Sequence, residues 1–113
     1  MNDHISFDDF LKVDIRVGKI LSAEDFPKAK KPAYKLTIDF GKEIGVRKSS
    51  AQITKLYSKE NLAGMLITAV VNFPPKNVAG FISEVLVLGI TGENGEVVLL
   101  NPERGAEVGS RIS

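Results

Sequence analysis

Two stretches of the chain, 13–20 and 34–40, alternate apolar and polar residues at every second position. Successive side chains of a β-strand point to opposite faces, so this period predicts strands with one buried face. In the second stretch, Leu36, Ile38 and Phe40 should form the buried face. Lys35 and Thr37 should then project from the other face. Strand signals of this kind outnumber helix signals along the chain.

Turn signals divide the remaining sequence into short segments. Further apolar runs predict strands at 44–46, 65–72, 85–90 and 97–100. The segment 41–43 is expected to be the hairpin turn that joins 34–40 to 44–46. Asn94-Gly95 is a strong turn signal before the last strand. Consecutive prolines cannot continue a hydrogen-bonded ladder, and 73–80 is therefore expected to be a loop.

Helix signals are confined to two short places. Ser6 precedes carboxylates at positions 8 and 9, the pattern of a capped first helical turn. The spacing of Ile53, Leu56 and Tyr57 predicts a second helix over 50–57. Five or six short strands with few helices favour an all-β domain with short helices, a small barrel of five strands. At 113 residues the chain is expected to be a single domain, 1–113.

Little in the composition supports catalysis. The sequence has no cysteine and one histidine, His4, so neither a thiolate nor a His-based metal site or triad is expected. We therefore predict a protein that is not an enzyme and that uses no metal or cofactor. The apolar runs are too short for membrane insertion, and no signal peptide is visible. The cytoplasm is the expected compartment.

Charge is unevenly distributed although the net charge is only +1. Residues 28–59 contain nine Lys or Arg against two acidic residues, whereas 84–113 contain five acidic residues against two basic ones. A basic face of this kind attracts phosphates or acidic polypeptide segments. The alternative interpretation is an ordinary solvated lysine surface.

Candidate binding residues follow from this charge pattern and from the strands. Arg16, Lys35, Arg47 and Lys48 are predicted to lie on the barrel face that binds oligonucleotides in OB folds. The segment around the prolines adds an amide, aromatic rings and a cation, with Phe73 and Phe81 either gripping a polymer or belonging to the core. The remaining candidates are Asn72, Lys76 and Ser83, with Ser49, Ser50 and Gln52 as either ligands or helix caps.

Several strings together resemble the structure-specific tRNA-binding domain. They are DIRVGKI at 14–20, IDFG at 38–41, and Asn72-x-x-Pro75 with Gly80 and Ser83. Within that family the chain is most similar to the CsaA export-chaperone branch. The strings that carry this similarity are KPAYKL at 31–36, KSSAQITK at 48–55, VNFPP at 71–75 and SEVLVLG at 83–89. The resemblance covers roughly 7–112.

The resemblance implies an OB barrel, a homodimer and a chaperone that holds unfolded or precursor polypeptides for export. Phe7, Phe10 and Leu11 are the expected dimer contact. Binding of tRNA through the same basic surface is the alternative function, and a purely structural dimer module is a third. The tRNA-binding branch usually has glycine and methionine where this chain has Val85 and Leu86, and an acidic residue where it has Lys30.

Overall fold

The structure is a computed structural model that describes residues 3–113. Three short helices, α1 to α3, span Phe7–Leu11, Gly41–Ile44 and Lys59–Leu62. Four strands, β1 to β4, span Ile15–Asp25, Tyr34–Asp39, Val46–Ala51 and Leu66–Val70. Five shorter strands, β5 to β9, span Lys76–Val78, Phe81–Ser83, Leu86–Val87, Gly89–Thr91 and Val97–Leu99. Within residues 3–113, no helix is long and apolar enough to cross a membrane.

The main sheet is antiparallel, with the strand order β3-β2-β1-β4-β7. Strand β1 is long enough to pair with β4 through its first half and with β2 through its second half. A register shift between Ile20 and Ser22 marks an irregularity near the change of partner, where a bulge lets a strand bend. The sheet therefore curls into a nearly closed barrel, as the sequence predicts.

The barrel closes between β3 and the segment 83–85 by an unusual set of contacts. The Glu84 backbone N–H donates to the Lys48 carbonyl at 2.7 Å, and the Lys48 N–H donates to the Glu84 side chain. The Ser50 N–H donates to the Ser83 hydroxyl, and the Ser49 hydroxyl donates to the Val85 carbonyl, each at 3.0 Å. Side chains thus replace part of a normal strand ladder at the closing edge.

The core lies inside this barrel. Leu36, Ile38 and Phe40 are fully buried, which confirms the buried face predicted for β2. Gly18 allows β1 to approach the core closely: a Cβ on it would lie 2.6 Å from the Phe40 ring and 2.7 Å from Ile38 Cγ2. A side chain at this position of β1 would overlap the core.

The segment 109–112 runs along the first half of β1, on the edge that β2 does not reach. The Val17 N–H donates to the Ser110 carbonyl, and the Gly109 N–H donates to the Val17 carbonyl. The Ile112 N–H donates to the Ile15 carbonyl at 2.8 Å. The end of the chain therefore completes the pairing of β1.

Several local predictions need correction. The predicted helix over 50–57 is wrong, because 50–51 belong to β3 and the following helix is α3, capped by Ser58. The stretch 73–80 is a loop only in part, since β5 pairs with β6 in a hairpin. The predicted strand over 85–90 is divided into β7 and β8. Strands β2 and β3 do form a hairpin, but its connection 41–43 belongs to α2.

Other local predictions are confirmed. Helix α1 begins after Ser6, whose hydroxyl accepts from the Asp9 N–H while the Asp9 carboxylate accepts from the Ser6 N–H. This reciprocal arrangement is a capping box. Strands β8 and β9 pair across the turn that contains Asn94-Gly95.

Candidate functional site

An open groove of about 610 Å³ lies between the closing edge of the barrel and the β5–β6 and β8–β9 hairpins. We call it the apolar groove. Its apolar lining includes Ile53, Phe73, Pro74, Val85, Leu86, Val87, Val97 and Leu99, and its polar lining includes Ser50, Gln52, Lys76, Ser83, Glu84 and Thr91. Phe73 and Leu86 are each half exposed. The groove therefore offers open apolar surface with hydrogen-bonding groups beside it.

A second cavity of about 400 Å³ lies against the β1–β2 connection, and we call it the lysine groove. It is lined by Lys28, Ala29, Lys30, Lys31, Ala33, Ser50, Gln52, Val78 and Ala79. Its three ammonium groups come from one short exposed loop. An anion entering this groove would be attracted by the positive charge of this loop.

Five of the predicted binding residues line the apolar groove, namely Ser50, Gln52, Phe73, Lys76 and Ser83. The groove therefore unites β3 with the β5–β6 hairpin, two regions that are distant in sequence. Ser50 and Gln52 are not helix caps, because no helix begins at 50. The Ser83 hydroxyl already accepts from Ser50, so Ser83 also holds the wall of the groove in place.

Lys35 and Phe81 lie beside the two grooves. Phe81 is opposite Val78 in the β5–β6 hairpin, and its ring meets the buried Phe26 ring edge-on at a centroid distance of 5.5 Å. The Lys35 ammonium lies 5.7 Å from the Phe26 ring centroid and 5.8 Å from that of Phe81. These cation–π contacts tie the β1–β2 connection to the groove wall.

Strand register separates Lys48 from Arg47. Lys48 is opposite Thr37 and Lys35 is opposite Ser50, so Lys35, Lys48 and Ser50 share the outer face. Arg47 is opposite the buried Ile38 and thus belongs to the other face. The predicted grouping of Arg47 with Lys48 on one surface is therefore not what the register gives.

Ser49 is buried and opposite Leu36. Its hydroxyl donates to the Val85 carbonyl and takes part in closing the barrel. In this structure Ser49 neither caps a helix nor reaches the surface. A ligand in either groove would meet its neighbour Ser50 instead.

Arg16 does not project beside Lys35, as the sequence suggested. Its guanidinium donates to both oxygens of Asp14, to Glu43 and to the Gly109 carbonyl. These acidic partners raise the pKa of Arg16 above its ordinary range. Arg16 therefore connects β1 to the end of the chain and to α2.

Asn72 likewise has a role within the fold. Its carbonyl oxygen accepts from the Asp14 N–H at 3.0 Å, and its amide donates to the Lys12 carbonyl at 2.8 Å. The side chain thus fixes the segment between α1 and β1 to the end of β4. The same end of the molecule presents Phe7, Phe10 and Leu11, with Phe7 67% exposed and its ring 6.3 Å from that of Phe10.

Sequence reasoning did not include Lys28, Lys30 and Lys31 among the site residues, although it noted the basic stretch that contains them. It also omitted most of the apolar lining. The apolar lining could not be found from periodicity, because its members lie on separate short strands. Among the described residues, no group of three or more His, Cys, Asp and Glu is placed to hold a metal ion.

Comparison with known proteins gives a consistent result. The family model "Putative tRNA binding domain" matches residues 15–111. The chain is 38% identical over 111 residues to the methionine–tRNA ligase of Thermococcus onnurineus, a match that covers 97% of this chain but 14% of the ligase. The chain thus spans about a seventh of that relative's length.

Solved structures of similar length match more closely. The chaperone CsaA from Bacillus anthracis is 55% identical with a TM-score of 0.92, and the match covers 98% of this chain and 100% of that one. The CsaA chaperone protein from Picrophilus torridus is also 55% identical, with a TM-score of 0.91 and coverage of 97% and 100%.

Proposed function

The chain belongs to the tRNA-binding domain family, and on that premise we propose that it is a CsaA-like molecular chaperone. In this proposal a homodimer binds extended segments of unfolded or precursor polypeptides and assists their export. The family model describes a binding domain, and the match to the ligase enzyme is confined to that domain. We further propose that 1–113 acts as one domain in the cytoplasm without catalytic activity.

The open apolar groove is the observation that supports the proposal most directly. Its volume of about 610 Å³ is within the range of protein ligand sites. Half-exposed Phe73 and Leu86 offer apolar surface. The apolar side chains that an unfolded chain exposes can pack against such a surface. Hydrogen-bonding side chains such as Gln52 and Thr91 line the same groove and suit the backbone of an extended segment.

Exposed apolar side chains at α1 support the homodimer. Ile5 and Phe7 are more than two-thirds exposed, and Leu11 is also exposed. Arg111 donates to the Leu11 carbonyl, so the end of α1 is held against the chain terminus. A second copy covering this surface would remove it from water and would present two grooves to one client.

The chaperone function is tested by aggregation of an unfolded reporter protein. A Phe73→Ser/Leu86→Ser variant should lose most of the suppression of light scattering, because both residues line the apolar groove. The matched control is Leu21→Ser/Leu56→Ser, which changes two equally exposed apolar residues outside the groove. The proposal fails if the unmodified protein does not retard aggregation, or if both variants lose activity equally.

The dimer is tested by sedimentation equilibrium. A Phe7→Asp/Leu11→Asp variant should be monomeric, because burying unpaired carboxylates at an interface is costly. The Leu21→Asp/Leu56→Asp variant should sediment like the unmodified protein. A monomeric unmodified protein at micromolar concentration would exclude the proposed assembly.

Binding of tRNA is the second candidate, supported by the family model and by the lysine groove. RNA held through phosphates should lose affinity steeply as salt rises, because neutralised phosphates release counterions. Isolation of the protein from extract with and without nuclease separates the two candidates. Polypeptide that remains bound after nuclease treatment supports the chaperone, whereas RNA as the sole bound polymer supports the alternative.

A further inference from the structure

The apolar groove and the lysine groove adjoin. Ser50, Gln52 and Val78 line both of them, so the two cavities lie side by side. The shared residues come from the end of β3 and from the β5–β6 hairpin. An extended ligand in one cavity can therefore reach the other across these three shared residues. We call the combined surface the two-part track.

The two ends of the track differ in chemistry. The apolar end contains one cation, Lys76, and one carboxylate, Glu84, among its lining residues. The other end contains Lys28, Lys30 and Lys31 with no acidic residue in its lining. None of these three lysines forms an ion pair within 4.0 Å with any residue in 3–113. Their charge is thus available to a ligand.

The lysine loop has a fixed position relative to the apolar end. Phe26 before the loop and Ala33 after it are both buried. Phe26 meets Phe81 of the β5–β6 hairpin edge-on, and Lys35 lies over both rings. The loop is therefore fixed at both ends by buried residues. One of them, Phe26, contacts the β5–β6 hairpin, which also lines the track. This holds the positive charges beside the apolar surface.

We propose that the two-part track selects polypeptide segments in which an apolar stretch is immediately adjacent to acidic side chains. This inference rests on the proposed chaperone function and adds the class of client segment. The apolar side chains would occupy the groove between Phe73 and Leu86, while the carboxylates would meet the three lysines. A phosphate backbone would suit the lysine end alone, because the apolar end has little positive charge. Polypeptide therefore fits the whole track better than RNA does.

The test uses labelled peptides that share one apolar segment and differ only in the adjacent residues. The flanks are three Glu, three Ser or three Lys, placed on either side in separate peptides. The Glu-flanked peptide should bind about 10-fold more tightly than the Ser-flanked one in at least one placement, and the Lys-flanked peptide more weakly. The difference should shrink at about 0.5 M salt, where exposed charges are screened.

Two variants test whether the preference for the Glu-flanked peptide depends on the lysine groove. Lys28→Ala/Lys30→Ala/Lys31→Ala should abolish the preference for the Glu-flanked peptide over the Ser-flanked one. The matched control, Lys19→Ala/Lys42→Ala/Arg104→Ala, removes the same charge from exposed positions outside both grooves and should keep the preference. Thermal unfolding of both variants establishes that they fold.

Each unfavourable result has its own meaning. Equal affinity for the Glu-flanked and Ser-flanked peptides, or equal loss of preference in both variants, overturns the inference and leaves the chaperone proposal standing. Failure of every peptide to bind rejects the chaperone proposal itself. If the track variant loses RNA binding but retains the peptide preference, the lysine groove is an RNA site and the inference is wrong. The acidic run supplied as a separate peptide should not improve binding of the apolar segment, because adjacency is what the track requires.

Discussion

The two parts of the barrel are built differently. Between residues 15 and 70, four strands of five to eleven residues surround a core that includes the fully buried Leu36, Phe40 and Ile67. Between residues 73 and 99, the five strands have two or three residues each. Several apolar side chains there, including Leu86 and Ile90, remain about half exposed.

Because of this difference, the part with long strands mainly stabilises the fold, whereas the part with short strands is available for binding. Long paired strands with one continuous buried face supply most of the apolar burial that stabilises the fold. This second region contributes Val85 and Leu99 to that core, and it also lines the apolar groove. We call the two parts the scaffold half and the groove half. Substitutions in the scaffold half should change stability, and those in the groove half should change binding.

The largest effect is expected from Phe40→Ala in the scaffold half. Removing a fully buried ring should lower the free energy of unfolding by about 3–5 kcal/mol through lost burial and a residual cavity. Phe73→Ala in the groove half should lower it by less than about 1 kcal/mol, since Phe73 is half exposed. Urea denaturation measures both. Similar losses for the two variants would contradict the division between the halves.

Gly18→Ala tests how closely the scaffold half is packed. The new methyl group would lie 2.6 Å from the Phe40 ring, so the core must shift, at a cost of about 1–3 kcal/mol. Gly105→Ala is the matched control, because a Cβ there would meet nothing within 4 Å. Chemical denaturation should show a lower midpoint for the first variant alone. An unchanged midpoint for Gly18→Ala would mean that the core tolerates the extra volume.

Ser83→Ala tests the closing edge of the barrel, where the scaffold half meets the groove half. The variant removes the acceptor of the Ser50 N–H, which should lower stability by about 1 kcal/mol. Hydrogen exchange at the Ser50 amide should accelerate more than exchange in β1. The control is Ser22→Ala, an exposed serine on β1. If Ser50 exchange does not change, the side-chain acceptor does not hold the closing edge.

The smallest effect concerns the surface ion pair of Lys59 and Asp25, whose N–O distance is 2.9 Å. The hydrogen bond to Asp25 raises the pKa of Lys59. A raised pKa stabilises the fold at pH values below the ordinary lysine pKa of about 10.4, and this contribution is lost as pH rises through the raised pKa. Lys59→Met should therefore lower the urea midpoint slightly at pH 8, and the difference from the unmodified protein should vanish as pH rises through the raised pKa of Lys59. A difference that persists at high pH would assign the effect to packing.

The scaffold half was largely predictable from the sequence. Alternation in 34–40 identified the buried face of β2, and the Ser6 signal identified α1. The start of α3 was also accessible, since Ser58 precedes Glu60 in the pattern of a capped helix. The mistaken helix over 50–57 arose because three apolar residues at helical spacing can equally belong to a strand end followed by a turn.

Contacts between residues that are distant in sequence were less predictable, including those that join the two halves. Ser49 lies among polar residues in the sequence, yet it is buried, and its hydroxyl donates a hydrogen bond to the Val85 carbonyl, 36 residues away. Arg16 appeared to be a surface charge, but its partners include the Gly109 carbonyl, 93 residues away. No local pattern encodes such pairs. The binding residues assigned to the groove remain predictions for the experiments above.

The pairing of 109–112 with the first half of β1 has a practical consequence for protein engineering. A version shortened at residue 108 would leave the N–H of Val17 and the carbonyls of Ile15 and Val17 without their present partners. An uncovered strand edge of this kind is a template for pairing with other molecules. Such a version should form β-linked aggregates even with its barrel core intact, so a purification tag is better appended after Ser113 than substituted for the final residues.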